Sequence, residues 1–173
     1  MDKRYEINLE VKNSIVNALF LLLEAKDLEA ITISELVIKA GVARASFYRN
    51  FKNKLNVLQF FLQSILLQYK EKYEANLKHI ARYENVFRIF NYILQYQKQL
   101  KVLFSAHLGQ MMLDAMNEYI INSTNLNGEK QLYKYPFYSY AGALYNVLYY
   151  WITTGCKESP VEMTEAYFSS LHI

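Results

Sequence analysis

A capping box and a glycine stand nine residues apart in "TISELVIKAG", residues 32–41, and they confine the chain between them to a very short helix. The Thr32 hydroxyl is placed to accept from the Glu35 backbone N–H, and the Glu35 carboxylate to reach back to Thr32. Ile33, Leu36, Val37 and Ala40 follow at i, i+3, i+4 and i+7, one apolar face of two turns. Gly41 then tolerates the positive φ of a helix stop. The spacing predicts a further short helix from about 44 to 50. Two helices so short cannot cover each other's apolar faces and need a brace. Val11, Ile15, Ala18, Leu19, Leu22 and Leu23 provide one, on an amphipathic helix over roughly 7–25, with "KDLEA" as the connector.

The rest of the chain reads as helical. Asn53 is placed to cap a long helix over about 54–79. Weak punctuation follows near His79–Arg82, Gln97–Leu100 and His107–Gly109. "NSTNLNGEK" is the clearest loop. Pro136 suits the first turn of a long helix ending at Gly155. Ser159, Pro160 and Glu162 form a second capping box, opening a last helix over about 160–171. With five Gly and two Pro in 173 residues, 53% apolar, long elements and a sizeable core are expected. No period-two alternation argues for a sheet. The expectation is an all-α protein of about nine helices, with domains at 1–54 and 55–173.

The net charge of +3 says little, but its distribution says more. Residues 39–54 hold Lys39, Arg44, Arg49, Lys52 and Lys54 and no acid, which marks a local basic patch. A single cysteine, Cys156, excludes an internal disulfide framework. Apolar runs such as "IVNALFLLL" are too short to span a bilayer, and no secretory pattern opens the chain, so a cytoplasmic protein without membrane partners is expected. His107 and Cys156 have no partners at metal-ligand spacing. No glycine-rich phosphate loop or nucleophile elbow is present, so neither an enzyme nor a cofactor or metal site is expected.

Two short helices joined by a tight glycine turn and braced by a third make a helix-turn-helix, whose second helix reads DNA. Arg44, Ala45, Tyr48, Arg49 and Lys52 fall on one side of that helix; Val42, Phe47 and Phe51 fall on the other. Arginine can bond guanine O6 and N7 together, and small Ala45 lets the backbone approach a base edge. Lysines, tyrosine hydroxyls and helix amides bond phosphates. Thr32, Ser46 and Lys54, the last at the start of the fourth helix, complete the expected contacts to double-stranded DNA.

The stretch "TISELVIKAGVARASFYRNFKNKLNVL" resembles the DNA-binding region of TetR-family transcriptional regulators. The matching features are Thr32-Ile33, Leu36, Ala40-Gly41-Val42, Ser46-Phe47-Tyr48, Phe51, Lys54 and Leu58. The resemblance implies a homodimer built on the last two helices of each subunit and a palindromic operator read by one helix per half-site. It also implies a repressor released by a small ligand held in the second domain. The alternative is a TetR-like co-regulator acting through a protein partner, or an activator. One departure stands out: many members have Ser or Thr where this chain has Ala43, and alanine caps a helix poorly.

In the second domain, Tyr69, Tyr73, Phe87, Phe90, Phe104, Met111, Met112, Met116 and Tyr138 are candidates for lining a pocket that takes a small apolar or aromatic ligand. Core packing explains the same residues at helical spacing. "PFYSYAGALYNVLYYWITTG" is apolar on more than one stripe, and Ala141, Gly142 and Ala143 permit close helix approach. Leu144, Leu148, Trp151, Tyr167, Phe168 and Leu171 are therefore expected to bury that surface against a second copy, the alternative being that the core of the single chain covers it.

Overall fold

The computed structural model describes residues 3–73, 81–123 and 130–170, and every regular element among them is a helix. The chain divides into two compact units, Met1–Ser64 and Ile65–Ile173.

The first unit contains α1 (Lys3–Leu23), α2 (Ile33–Ala40), α3 (Arg44–Asn50) and the start of α4 (Lys54–Tyr73). α1 begins a turn earlier than its apolar pattern, because Arg4, Glu6, Ile7 and Asn8 lie exposed and leave no burial signal to read. Ile15, Leu19, Leu36, Phe47, Val57 and Leu58 form a core closed to solvent. α1 packs on both α2 and α3. The capping box forms as the sequence predicts: Glu35 N donates to Thr32 Oγ1 at 3.1 Å, and Thr32 N donates to Glu35 Oε2 at 2.9 Å. Lys26 Nζ donates to the other carboxylate oxygen. That bond, then those from Thr32, hold the Glu35 carboxyl down at about 2.

Gly41 takes φ +66, and the N–H of Val42 closes on the carbonyl of Val37 at 3.0 Å. A Cβ at Gly41 would meet nothing, so backbone conformation rather than space requires glycine there. Asn53 Oδ1 accepts from Asn56 N at 3.0 Å and caps α4. The end of α4 expected near residue 79 and most of "NSTNLNGEK" lie outside the described residues.

The second unit carries the rest of α4, then α5 (Tyr83–Ile93), α6 (Gln97–Ser105), α7 (Gln110–Ser123), α8 (Tyr135–Thr153) and α9 (Pro160–Ser170). α5 packs on α9, while α6 and α7 pack on α8. The break expected at Gln97–Leu100 falls instead at Leu94–Tyr96, a single 3-10 turn. Leu100, Leu103 and Phe104 face the core as one stripe, so α6 has to be helical before Leu100. α6 ends where His107 adopts φ 58; beyond α8, Gly155 and Cys156 turn at φ 99 and 50. The second capping box closes through Ser159 N on Glu162 Oε2 at 2.7 Å and Glu162 N on Ser159 Oγ at 3.3 Å. Among the described residues no helix is long and apolar enough to cross a membrane.

Candidate nucleic-acid interface and internal cavity

α3 is only seven residues long, yet it has two sides of opposite chemistry. Phe47 is wholly buried and Phe51, just beyond the helix, nearly so; their rings lie 6.0 Å apart. Arg44, Ala45, Tyr48, Arg49 and Lys52 are exposed. The exposed side chains are ordered among themselves. Arg44 Nη1 donates to Ser34 Oγ at 2.8 Å and Nη2 to the Tyr48 hydroxyl at 3.3 Å. Arg49 Nη2 donates to Ser46 Oγ at 2.9 Å. Thr32 is exposed but its hydroxyl is engaged in the α2 cap. Ala43 occupies the N-cap of α3 with no side-chain cap bond, as its chemistry requires.

Lys54 is placed differently from what its position in the sequence suggests. Its ammonium donates to the carbonyl oxygens of Leu28, Glu29 and Ile31, in the connection that leads into α2. A phosphate contact from Lys54 would have to compete with all three. Lys54→Ala is accordingly expected to lower the stability of the first unit by about 1.5–3 kcal/mol, the range for hydrogen bonds to a charged donor. Thermal unfolding checks this; an unchanged melt with a shallower salt dependence of DNA binding would assign Lys54 to phosphate instead.

The second unit contains a cavity of about 80 Å³, partly open to solvent and lined by residues of α4, α5, α7 and α8. Of the predicted lining residues it brings Tyr69, Met112 and Met116 together, and adds Tyr92, Tyr119, Tyr140, Leu144 and Leu148 among others. Tyr73, Phe87, Phe90, Phe104, Met111 and Tyr138 do not line it. Phe90 is spent on Trp151, edge to face at 5.4 Å, and Phe104 on Tyr149 at 5.0 Å. The register of α7 contained a usable signal: Met112, Met116, Tyr119 and Ile120 sit at i, i+4, i+7 and i+8. Tyr92 and Tyr140 offered none, since their partners come from helices distant in sequence.

Among the described residues no charged side chain lines the cavity. The Tyr92 hydroxyl donates to the Ile65 carbonyl at 2.8 Å, and that of Tyr69 reaches the Asn85 carbonyl at 3.4 Å. Burial pushes the Tyr69, Tyr92 and Tyr140 hydroxyls well above the ordinary tyrosine range, so all three stay neutral. The cavity therefore presents an uncharged wall at any physiological pH.

Leu144, Leu148, Trp151 and Tyr167 are each at most 3% exposed within the single chain. Phe168 is half-buried and stacks on Tyr83 at 5.8 Å, while Leu171 lies outside the described residues. α8 is apolar on several sides because α6, α7 and the cavity take up much of it. What α8 and α9 leave outside is a shallow groove bordered by Asn146, Val147, Tyr150, Thr154 and Met163, with Tyr150 67% exposed. Among the described residues no group of His, Cys, Asp or Glu could hold a metal ion.

A helical unit with two short, oppositely faced helices, followed by a helical unit with an internal cavity, defines a helix-turn-helix regulator. Family models agree. "Bacterial regulatory proteins, tetR family" matches residues 15–59, and "Transcriptional regulator C-terminal region" matches residues 68–172. The second alone spans well over half of the chain, and the protein belongs to the TetR family of transcriptional regulators, which are DNA-binding proteins and not enzymes. Among solved structures, Lin0861 from Listeria innocua is 17% identical, with 99% of this chain and 93% of that one covered and a TM-score of 0.79. A TetR transcriptional regulator from Streptococcus agalactiae is 16% identical, with 97% of each chain covered and a TM-score of 0.65. The dihydroxyacetone kinase operon activator DhaS is 15% identical, with 94% of each covered and a TM-score of 0.60. At such identities the likeness is one of fold. No curated protein sequence matches the chain.

Proposed function

We propose that this regulator binds a palindromic DNA site as a homodimer, with one α3 in the major groove of each half-site. Transcription is repressed in the bound state, and a small neutral molecule entering the cavity releases the DNA. The observation that carries the reading is α3 itself: its apolar anchors Phe47 and Phe51 are buried while its arginines, tyrosine and the following lysine stay in solvent. An exposed cationic, hydrogen-bonding face on a rigid short helix is what base and phosphate contacts need. The uncharged cavity supports an apolar effector, and the groove beside Tyr150 supports a second copy at α8 and α9.

Selection from random duplex DNA tests the reading. Two enriched half-sites with dyad symmetry are expected; no enriched sequence would refute it and favour a co-regulator working through a protein partner. Arg44→Ala should relax preference at one base pair per half-site by about 1–3 kcal/mol, the worth of a bidentate arginine–guanine pair. Equal loss on every sequence would remove Arg44 from base readout. Sedimentation equilibrium checks the assembly, and a monomer at micromolar concentration would reject it.

A further inference from the structure

Arg44 is held from outside its own helix. Ser34 sits in the first turn of α2 and Arg44 is the first residue of α3; the left-handed turn at Gly41 brings them together. Arg44 Nη1 donates to Ser34 Oγ at 2.8 Å, Nη2 donates to the Tyr48 hydroxyl at 3.3 Å, and the guanidinium lies over the Tyr48 ring at 5.7 Å. Two side chains, Ser34 and Tyr48, thus hold one exposed guanidinium between them. They use one hydrogen of each terminal nitrogen, so the remaining N–H groups stay free to meet an acceptor fork. The N-cap of α3, Ala43, contributes no side-chain bond, so the Ser34–Arg44 bond is a side-chain tie across the turn at the very start of the helix.

We infer that Ser34 is a specificity-determining positioning residue: through its bond to Arg44 Nη1 it pre-orders the guanidinium that reads a base edge. The inference rests on the reading that α3 faces DNA. Arginine has a long, rotamer-rich side chain, and ordering it on binding costs affinity that a pre-ordered arginine does not lose. That saving acts where the guanidinium geometry matters, at the base pair it reads, and not on phosphates contacted elsewhere. Ser34 itself need not touch DNA.

The test compares wild type, Ser34→Ala, Ser34→Thr, Arg44→Ala and the double variant Ser34→Ala/Arg44→Ala against the selected site and its single-base variants. Thermal melts confirm folding, which an exposed serine should not affect. Ser34→Ala should lose about two- to tenfold of the discrimination at the base pair that Arg44→Ala identifies, the range for one newly mobile side chain, with affinity for unrelated DNA unchanged. Ser34→Thr, which keeps the hydroxyl, should retain it, and Ser34→Ala should add nothing in the Arg44→Ala background. An unchanged discrimination profile in Ser34→Ala overturns the inference. So does a uniform loss on all sequences, which marks Ser34 as a phosphate contact, or additivity in the double variant. If the wild type itself selects no site, the reading of α3 falls, and this inference with it.

Discussion

Trp151→Ala is expected to lower the unfolding free energy of the second unit by about 3–5 kcal/mol, the cost of truncating a fully buried tryptophan. Trp151 is 2% exposed and its ring meets Phe90 edge to face at 5.4 Å. Its indole N–H donates to the Glu158 carbonyl at 3.1 Å and ties the α8–α9 connection to the core. The substitution removes ring volume from a site walled by α5 and leaves that carbonyl without its donor. Trp151→Phe, which keeps one aromatic ring and loses the hydrogen bond and part of the ring volume, should cost less than Trp151→Ala. Chemical denaturation followed by far-ultraviolet circular dichroism measures both, since the chain has a single tryptophan and its fluorescence goes with it. A folded, equally stable but monomeric Trp151→Ala protein would put the residue in a seam between copies and contradict the intrachain packing.

Phe47→Ala is expected to destabilise the first unit by a similar amount, about 3–5 kcal/mol. Phe47 is 0% exposed and its ring neighbours are Tyr48 at 5.3 Å and Phe51 at 6.0 Å. A core of this size has little reserve, since a unit of about 60 residues buries only about 60% of the surface its unfolded chain exposes. α3 should detach or melt, and binding to every DNA sequence should fall together. That pattern separates Phe47 from Arg44, whose loss should alter one base preference and leave the helix in place. Retention of full DNA affinity by Phe47→Ala would mean that α3 does not depend on this anchor and that the two-sided reading of the helix is mistaken.

The first unit was legible almost residue by residue. The bounds of α2 and α3, the capping box at Thr32 and Glu35, the positive φ at Gly41 and the missing cap at Ala43 all follow from residues a few positions apart. The burial of Phe47 and Phe51 follows from their place opposite the arginines on a helical wheel. The destination of Lys54 did not follow, because its acceptors lie more than twenty residues earlier, in a turn whose position depends on how α1 and α2 pack. The same limit applies to Ser34: nothing in its own neighbourhood marks it as a partner of Arg44.

The second unit divides in the same way. Its helices, its turns and its apolar weight are written locally, and so is the neutrality of a pocket lined by Met, Leu, Ile and Tyr. Which apolar side chain faces a cavity, a neighbour or solvent is not, because an apolar stripe states only that it must be covered and not by what. Leu144 and Leu148 look from the sequence like a surface awaiting a second copy; closure of α4, α5, α7 and α8 around one space makes them its wall. The sequence by itself determined the helices, their caps and the two-sided α3, since those depend on interactions within a turn or two. The tertiary structure alone decided the cavity, the interior place of Trp151 and the hold of Ser34 on Arg44, since each joins residues that only packing brings within reach.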